Sequence, residues 1–251
     1  TVLYKMGIKG SYVPFKVAAD NIGPAIQSMR ILNIAGANVT IPYKEKVIPY
    51  LDVLSEGANV IGAVNTIVRR GQELKGYNTN AIGIMDALSD CGFELEGKSA
   101  LVFGTGGAAK AVLFILNWLR TRVIYVTGRN NTRSQELVER FGGEALAIDD
   151  LPDQDLDVEI VINATAVSSP EEAPGLAQLT QNLSFNKCEL VVDLNYGRAD
   201  NFWQKMADAQ GIPFMDGLPM LAFQARRTFA LWTSMQVPPQ EFLEALQAPS
   251  S

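Results

Sequence analysis

The stretch LVFGTGGAAKAVLFIL, residues 101–116, decides the fold of this 251-residue chain. An apolar run leads into Gly104, Gly106 and Ala109, which have the spacing G-x-G-x-x-[G/A], and a segment of helical periodicity follows. In a strand–turn–helix unit the first glycine allows a tight turn, the second lets the backbone approach a pyrophosphate, and the small third residue allows close packing. The diphosphate would bind the free N–H groups at the start of the helix. A small-residue turn without a ligand is the alternative, but the βαβ context favours a dinucleotide.

The segments on both sides of this turn alternate between apolar runs and helical periodicity, which predicts an α/β fold with a mostly parallel sheet. Beyond a boundary near 92–98, the predicted strands are 99–103, 123–127, 160–164, 190–194 and 213–215, with helices 108–119, 132–141 and 218–233. Before it, the predicted strands are 12–17, 37–41, 65–68 and 74–77, with helices 22–32, 44–51 and 81–91 and a hairpin turn at RRGQE, 69–73.

The second strand of the later half indicates which dinucleotide is bound. NAD-binding folds usually carry Asp or Glu at the end of that strand, where it bonds the ribose 2′-hydroxyl. Here the strand runs VIYVTGRNNTR, with Arg129 at its end and Arg133 one helical turn later. A guanidinium group in that place can pair with the 2′-phosphate of NADP. Two solvated surface arginines are the alternative, but the missing acid favours NADP.

Charge and composition exclude several classes of function. Lys+Arg number 21 and Asp+Glu 27, a net charge of -6, so the chain lacks the basic footprint of a nucleic-acid binder. The longest apolar run, 111–116, is too short to cross a membrane, and we expect no membrane partner and no export leader. Two cysteines, Cys91 and Cys188, form no disulfide framework and fit a reducing cytoplasm.

The chain has no histidine, which removes the commonest general base and the commonest metal ligand together. Proton chemistry must therefore use Lys, Asp, Glu, Tyr or a thiol. No cluster of cysteines or carboxylates has the spacing of a metal site, so the prediction for metal is none.

Lys44 is the candidate for proton transfer. It follows the segment NVTIPY and is predicted to lie in the first turn of a helix. A cation there interacts unfavourably with the helix dipole, so Lys44 would not stabilise the helix. A solvated surface lysine is the default alternative. Two asparagines make Lys44 a stronger candidate: Asn65 lies at the start of one predicted strand and Asn80 at the end of another. Strand ends of this kind converge in open α/β folds.

Gln224 lies on an apolar helical stripe with Leu221, Ala225 and Thr228. A polar amide on a core-facing stripe needs a hydrogen-bond partner. That partner is either a substrate or a backbone group in the core.

Seven motifs follow one another along the chain: NVTIPYK, GAVNT, GYNTNAIG, GTGGAAKA, INAT, DLNY and DGLPMLAFQARRTFALW. By their order and approximate spacing over residues 36–232, the chain resembles the shikimate dehydrogenase family. The resemblance implies an α/β substrate domain, 1–92 with 218–251 returning to it, and a Rossmann-like NADP domain, 93–217. It further implies an active site between the two, a monomer or homodimer, and NADP-linked oxidation of shikimate, a small hydroxylated cyclic acid, to 3-dehydroshikimate.

The same resemblance assigns roles to individual residues. Lys44 matches the catalytic lysine, and Asn80 occupies the position of its partner. The substrate-binding residues would be Thr40, Asn65, Tyr196 and Gln224. The cofactor-binding residues would be Gly104, Thr105, Gly106, Gly107, Ala108, Ala109, Arg129, Arg133, Thr165, Leu194 and Gly217, of which Thr165, Leu194 and Gly217 would border the nicotinamide.

Two departures from the family pattern stand out. The family motif reads N-T-D, and here the third position is Asn80, which supplies no negative charge to Lys44. We expect its amide to accept a hydrogen bond from the lysine and donate one to a substrate hydroxyl, with slower turnover. The paired serines that bind the substrate carboxylate in the family have no counterpart near the first residue, and Ser11 stands in a different context.

Three functions remain open on the sequence. The first is an NADP-dependent shikimate-type dehydrogenase, which acts on shikimate or an analogue such as quinate. The second is a catalytically silent or regulatory binder of NADP and a cyclic polyol acid. The third is another two-domain NADP oxidoreductase such as a methylene-tetrahydrofolate dehydrogenase, against which DGLPMLAFQ and GAVNT argue.

Overall fold

The structure is a computed structural model that describes residues 2–154 and 156–247. The chain divides into two compact units, one made of Thr1–Gly83 with Leu221–Ser251 and the other of Ile84–Met220. Both unit boundaries lie within helices that the units share. In the described residues, no helix is long and apolar enough to cross a lipid bilayer.

The unit 84–220 is built on a six-stranded sheet in which every strand pair is parallel. Its strands are β5 (Ser99–Phe103), β6 (Val123–Gly128), β7 (Glu144–Ala147), β8 (Ile160–Asn163), β9 (Leu190–Asp193) and β10 (Phe214–Met215). The order β7-β6-β5-β8-β9-β10 reverses direction beside β5, which is the doubly wound order of dinucleotide-binding folds. Strands β5, β8 and β9 are buried along their whole length, as parallel strands covered on both faces must be.

Four helices connect these strands: α5 (Gly107–Trp118), α6 (Asn131–Phe141), α7 (Pro174–Gln181) and α8 (Phe202–Gln210). Trp203 of α8 is fully buried against Phe103 of β5, with ring centroids 4.6 Å apart in an edge-to-face arrangement. Apolar residues of β5, β8 and β9 complete this core on the α7 and α8 side. Because β5, β8 and β9 run parallel, the loops at their carboxyl ends lie at the same edge of the sheet.

The unit 1–83 with 221–251 contains a four-stranded mixed sheet in the order β1-β3-β4-β2. Its strands are β1 (Gly36–Asn38), β2 (Val53–Leu54), β3 (Thr66–Arg70) and β4 (Glu73–Tyr77). Helices α1 (Val2–Lys5), α2 (Ile22–Ile31) and α3 (Glu56–Ile61) precede the second unit, and α10 (Pro239–Gln247) follows it. Helices α4 (Thr79–Asp90) and α9 (Gly217–Thr233) cross the two unit boundaries.

One core of this unit lies around β3 and β4, where Ile67, Leu74 and Val47 are fully buried. A second core joins the ends of the chain, because Phe229 of α9 packs edge-to-face on Phe242 of α10 beside Val2. Trp232 of α9 reaches the sheet and donates a hydrogen bond to the carbonyl of Ile67 at 3.0 Å. Helix α9 is therefore fixed against β3.

Two predicted elements of this unit are wrong. Residues 12–17 form no strand: Pro14 lacks a ladder donor, and the side chains of Tyr12, Val13 and Phe15 are exposed. Residues 44–51 form no α-helix, because Pro49 removes a helical N–H and restricts Ile48 before it; only a 3-10 turn, Ile48–Tyr50, is present. Lys44 thus lies in a turn and not in the first turn of a helix.

The remaining predicted elements are confirmed, most within two residues of their ends. β1 is shorter than the predicted 37–41, since the chain leaves the sheet after Asn38 toward Pro42. The RRGQE hairpin is confirmed, with Gly71 at positive φ in the turn. The elements without a predicted counterpart are β2, β7, α1, α3, α7, α8 and α10.

Candidate functional site

The glycine turn between β5 and α5 has the two properties that a phosphate-binding loop requires. Gly104 has φ 116°, and a Cβ there would lie 2.9 Å from the backbone of Ala164, so only glycine fits. A Cβ at Gly106 or at Gly107 would meet no atom within 4 Å, so the backbone is open to a ligand. Ala109 is fully buried, as close helix–strand packing demands. Thr105 and Ala108 complete the turn.

The start of α5 leaves donors free. Gly106 is the N-cap residue and supplies no side chain to the N–H groups of the first turn. Unsatisfied N–H groups and the helix dipole together favour an anion at this position. The residues present therefore fit the pyrophosphate of a dinucleotide.

The end of β6 carries the two predicted arginines. Arg129 and Arg133 are both exposed, and the backbone N–H of Arg133 donates to the Asn130 side chain, which caps α6, at 3.2 Å. Across the described part of the chain, neither guanidinium group has a hydrogen bond or an ion pair. Both are thus available for an added phosphate, and the described end of β6 carries no acid.

Thr165, Leu194 and Gly217 come together at the carboxyl ends of β8 to β10. The Leu194 N–H donates to the Asn163 carbonyl at 3.0 Å, and the Thr165 hydroxyl donates to the Asn163 side chain at 2.7 Å. A Cβ at Gly217 would lie 2.2 Å from the carbonyl oxygen of Leu194, so this glycine permits a close backbone approach. The three residues border one corner of this edge of the sheet.

A buried carboxylate fixes that corner. Asp193 is fully buried and accepts from the side-chain amides of Asn163 at 2.8 Å and Asn201 at 2.6 Å, and from the Asn195 N–H at 3.0 Å. Removal from water raises the pKa of the nearby Asp216 carboxyl, which caps α9 by accepting from the Leu218 N–H. Neither Asp193 nor Asp216 was predicted, although INAT and DLNYG place polar residues directly after strands. Tyr196 follows in the same loop with its side chain half exposed.

Lys44 is half-buried in its turn. Its carbonyl accepts from the Val64 N–H at 2.7 Å, which ties the turn to the residue before Asn65. Burial lowers the pKa of its ammonium group below the usual 10.5. Within ranges 2–154 and 156–247 its side chain has no ion pair and no hydrogen bond. Lys44 can therefore lose a proton more readily than a surface lysine.

Asn65 and Asn80 are joined directly. Asn65 donates from Nδ2 to Asn80 Oδ1 at 2.8 Å, and its own Oδ1 accepts from the backbone N–H of Thr79 at 2.7 Å. A backbone N–H can only donate, so the Thr79 bond fixes the orientation of the Asn65 amide and, through it, that of Asn80. Asn80 is 5% exposed, and its Nδ2 has no partner among the described residues.

The consequence for Asn80 differs from expectation. Its oxygen is already bonded to Asn65, and the group left free is an NH2, which donates only. The Nδ2 group is free for the expected donation to a ligand oxygen. The expected acceptance from Lys44 would need a second hydrogen bond to the engaged oxygen.

The side chains of Thr40 and Gln224 are accessible and make no hydrogen bond to another described residue. Thr40 is exposed and its carbonyl accepts from the Tyr43 N–H at 3.0 Å. Gln224 is half-buried on α9, and no hydrogen bond of its amide to another described residue exists, so the core partner considered from the sequence is not seen. Both side chains retain their polar atoms for a ligand.

Two family models match the chain. The model described as "Shikimate dehydrogenase substrate binding domain" matches residues 1–67, and the one described as "Shikimate / quinate 5-dehydrogenase" matches residues 87–209. Together they span most of the chain. The first match ends before helix α4, and the second begins within the last turn of that helix.

Named relatives agree with these models. A "Shikimate dehydrogenase (NADP(+))" from Halothermothrix orenii is 37% identical over 256 residues, which cover 96% of this chain and 86% of the relative. The protein of the same name from Nitrosopumilus maritimus is 31% identical, covering 96% and 89%.

Solved structures give the same result. Shikimate dehydrogenase from Aquifex aeolicus has a TM-score of 0.87 at 29% identity, over 98% of this chain and 90% of that one. Shikimate 5-dehydrogenase from Thermus thermophilus, solved in complex with NADP(H) and shikimate, has a TM-score of 0.84 at 33% identity, over 97% and 89%.

Proposed function

Since the chain belongs to the shikimate dehydrogenase family, we propose that it interconverts shikimate and 3-dehydroshikimate with NADP. It is an oxidoreductase of the NADP-dependent type that acts on a CH–OH group. The observation that carries the proposal is a half-buried lysine without a side-chain partner among the described residues. The same unit holds the free Nδ2 group of Asn80 and the unbonded amide of Gln224.

Lys44 moves the hydroxyl proton. Desolvation lowers its pKa, so the neutral amine is more populated near neutrality than for a surface lysine. A neutral amine takes the proton when the alcohol is oxidised, and the ammonium returns it when the ketone is reduced. Bound NADP supplies the hydride acceptor, or in its reduced form the donor. The chain has no histidine that could compete for this role.

Asn65, Asn80, Thr40 and Gln224 bind the substrate, and Tyr196 adds a hydroxyl. Asn80 donates from Nδ2, so it binds a lone pair of a substrate oxygen and does not anchor the lysine as a carboxylate would. A hydroxylated cyclic acid offers several such oxygens. Orientation of the ring, rather than charge at Asn80, then sets the geometry of proton transfer.

The turn from Gly104 to Ala109 holds the pyrophosphate, and Arg129 and Arg133 hold the 2′-phosphate. Thr165, Leu194 and Gly217 border the nicotinamide. The free donors at the start of α5 and the unpaired guanidinium groups support these roles.

We assign substrate binding to residues 1–92 with 218–251 and cofactor binding to 93–217. The division by compactness lies at Gly83 and Met220, which is nine residues before the first boundary and three after the second. Cys91 and Cys188 are both free thiols, which fits a reducing cytoplasm.

The first test is turnover, followed by NADPH absorbance with 3-dehydroshikimate, shikimate and quinate. We expect turnover with the shikimate pair and a slower rate with quinate. The silent-binder alternative is not favoured by the relatives, which are named dehydrogenases. Absence of turnover in the protein and in its Asn80→Asp variant, with NADP binding intact by calorimetry, would support that alternative.

A further inference from the structure

Three threonine hydroxyl groups meet in the interior of the unit that contains Lys44. Thr66 and Thr79 Oγ1 are 3.0 Å apart, Thr66 and Thr228 Oγ1 are 3.1 Å apart, and Thr79 and Thr228 Oγ1 are 3.2 Å apart. Each residue is at most 3% exposed. They come from β3, the start of α4 and α9, so this threonine triangle joins three elements that are distant in sequence.

The protons of the triangle balance. Each hydroxyl has one proton and two lone pairs, so three hydroxyls can close a ring in which each donates to one neighbour and accepts from the other. The lone pairs left over take incoming donors: Asn38 Nδ2 bonds Thr66 at 3.1 Å, and Asn65 Nδ2 bonds Thr79 at 2.9 Å. With the ring closed, no proton of the triangle is left to compete for Asn65 Oδ1.

Asn65 Oδ1 is the atom that such competition would disturb. It accepts the backbone N–H of Thr79 at 2.7 Å, and the hydroxyls of Thr79 and Thr66 lie only 3.3 and 3.4 Å from it. If one hydroxyl left the ring, a neighbour's proton would turn toward this oxygen. The new hydrogen bond would change the orientation of the Asn65 amide. The Asn80 amide would change orientation as well, because the two are bonded.

Thr228 is the member that reaches the triangle from another part of the chain. It lies four residues after Gln224 on α9, so the two side chains share one helical face. The bonds of Thr228 to Thr66 and Thr79 fix the rotation of α9 at this turn. Gln224, whose own amide makes no bond to a described residue, depends on that rotation for its direction.

We propose that Thr228 is a positioning residue: through the triangle with Thr66 and Thr79 it sets the amides of Asn65, Asn80 and Gln224 in the orientation that receives the substrate. It touches none of the reacting atoms. The catalytic part of this inference rests on the proposed function, whereas the orientation of Asn65 and Asn80 does not.

The test replaces Thr228 by Val, which keeps the branched shape and removes the hydroxyl, and by Ser, which keeps the hydroxyl. We expect Thr228→Val to raise the KM for shikimate about tenfold, as loss of a buried hydrogen-bond partner would, with an unchanged KM for NADP. Thr228→Ser should stay within about twofold of the parent, because the ring of three protons is preserved.

Thr233→Val is the matched control. Thr233 lies on the same helix, and its hydroxyl bonds the Phe229 carbonyl at 2.8 Å, outside the triangle. The Thr233→Val substitution should leave the KM for shikimate and the KM for NADP unchanged. Thermal unfolding of all variants detects a general loss of α9 packing, and Thr228→Ala replaces Thr228→Val if the latter does not fold.

A second measurement needs no substrate. In 15N-labelled protein, the side-chain amide signals of Asn65 and Asn80 should move in Thr228→Val and stay in place in Thr228→Ser and Thr233→Val. Unmoved signals in Thr228→Val would overturn the positioning role even in a protein that turned over no shikimate. A KM for shikimate within twofold of the parent, or an equal rise in Thr233→Val, would overturn it in an active one.

Discussion

In the unit 84–220, the groups proposed to hold NADP are backbone N–H groups and exposed guanidinium groups. Apart from Tyr196, the groups proposed to hold the substrate lie in the other unit. They are mostly side-chain amides, of which Asn65 and Asn80 are buried and bonded to one another. The first arrangement presents many donors to one polyanion. The second presents single atoms whose direction depends on their neighbours.

This difference teaches where each half is vulnerable. When several donors bind one phosphate, the loss of a single donor weakens binding only in part. A substrate oxygen bound by one oriented amide loses its contact when the amide turns, and a proton carried by one amine is lost with that amine. We therefore expect larger single-residue effects on turnover in the unit with Lys44 than on cofactor binding in the other.

The largest effect is expected from Lys44→Ala. Removing the proposed proton carrier should lower kcat on the order of 10³-fold while the affinity for NADP stays unchanged. Steady-state kinetics and NADP calorimetry measure the two quantities. Lys46→Ala, an exposed lysine two residues on, is the control and should keep full activity. An intact kcat with weakened NADP binding would contradict the proposed catalytic role of Lys44 and indicate a role in cofactor binding.

Asn80→Asp comes next. The family resemblance places residue 80 beside Lys44, so a carboxylate there should stabilise the ammonium form and orient it. We therefore expect kcat to rise by about 10²-fold at its optimum. The variant keeps an oxygen for the Asn65 amide, so the network should persist.

The pH profile of the same variant has a definite sign. Oxidation needs the neutral amine, so its rate rises with pH as Lys44 loses its proton. Burial lowers the pKa of Lys44 in the parent, and a new carboxylate nearby raises it, which moves the rising limb upward by about one pH unit. A limb that stays in place, or moves to lower pH, would show that Asn80 and Lys44 do not interact.

Arg129→Ala tests the choice of cofactor. Loss of one charge-assisted contact to the 2′-phosphate should raise the KM for NADP about 20-fold and leave the KM for NAD unchanged. Arg120→Ala is the control, since Arg120 is an exposed arginine whose pair with Glu96 is also exposed. Equal losses for both dinucleotides would remove the proposed clamp.

The smallest effect is expected from Gly106→Ala. Its backbone is extended and a Cβ would enter open space, so the melting temperature should not change. The methyl group would crowd the pyrophosphate and raise the KM for NADP about fivefold, the value of one hydrogen bond. Gly104→Ala, at φ 116° against the Ala164 backbone, should lower the melting temperature as well. An unchanged KM in Gly106→Ala would separate this turn from the cofactor.

Much of the second unit was predictable because its signals are local. Buried parallel strands form continuous apolar runs, and Gly104 and Gly106 mark the turn between β5 and α5. Helix α8 was missed although its cap signals are present: Asn201 caps its start, and Gly211, at positive φ, ends it. Strand β7 was missed because Glu144 at its start and partly exposed neighbours give no apolar run.

The first unit was harder to predict. The alternating pattern of 12–17 satisfies strand periodicity, but Pro14 and the lack of a partner strand leave it outside the sheet. Residues 44–51 have helical periodicity, but Pro49 prevents an α-helix there. Lys44, Asn65 and Asn80 could nevertheless be selected as candidates, because polar residues that follow or precede strands are visible in the motifs that contain them.

The sequence by itself determined the α/β class, the glycine turn, the arginines at the end of β6 and the choice of candidate lysine and amides, since each depends on residue type and short spacing. Only the tertiary structure decided which atom Asn80 presents, because that follows from the Thr79 N–H acting through Asn65. It also decided that Thr66, Thr79 and Thr228, up to 162 residues apart, share one ring of hydrogen bonds. Packing of distant segments creates that ring, and no local pattern encodes it.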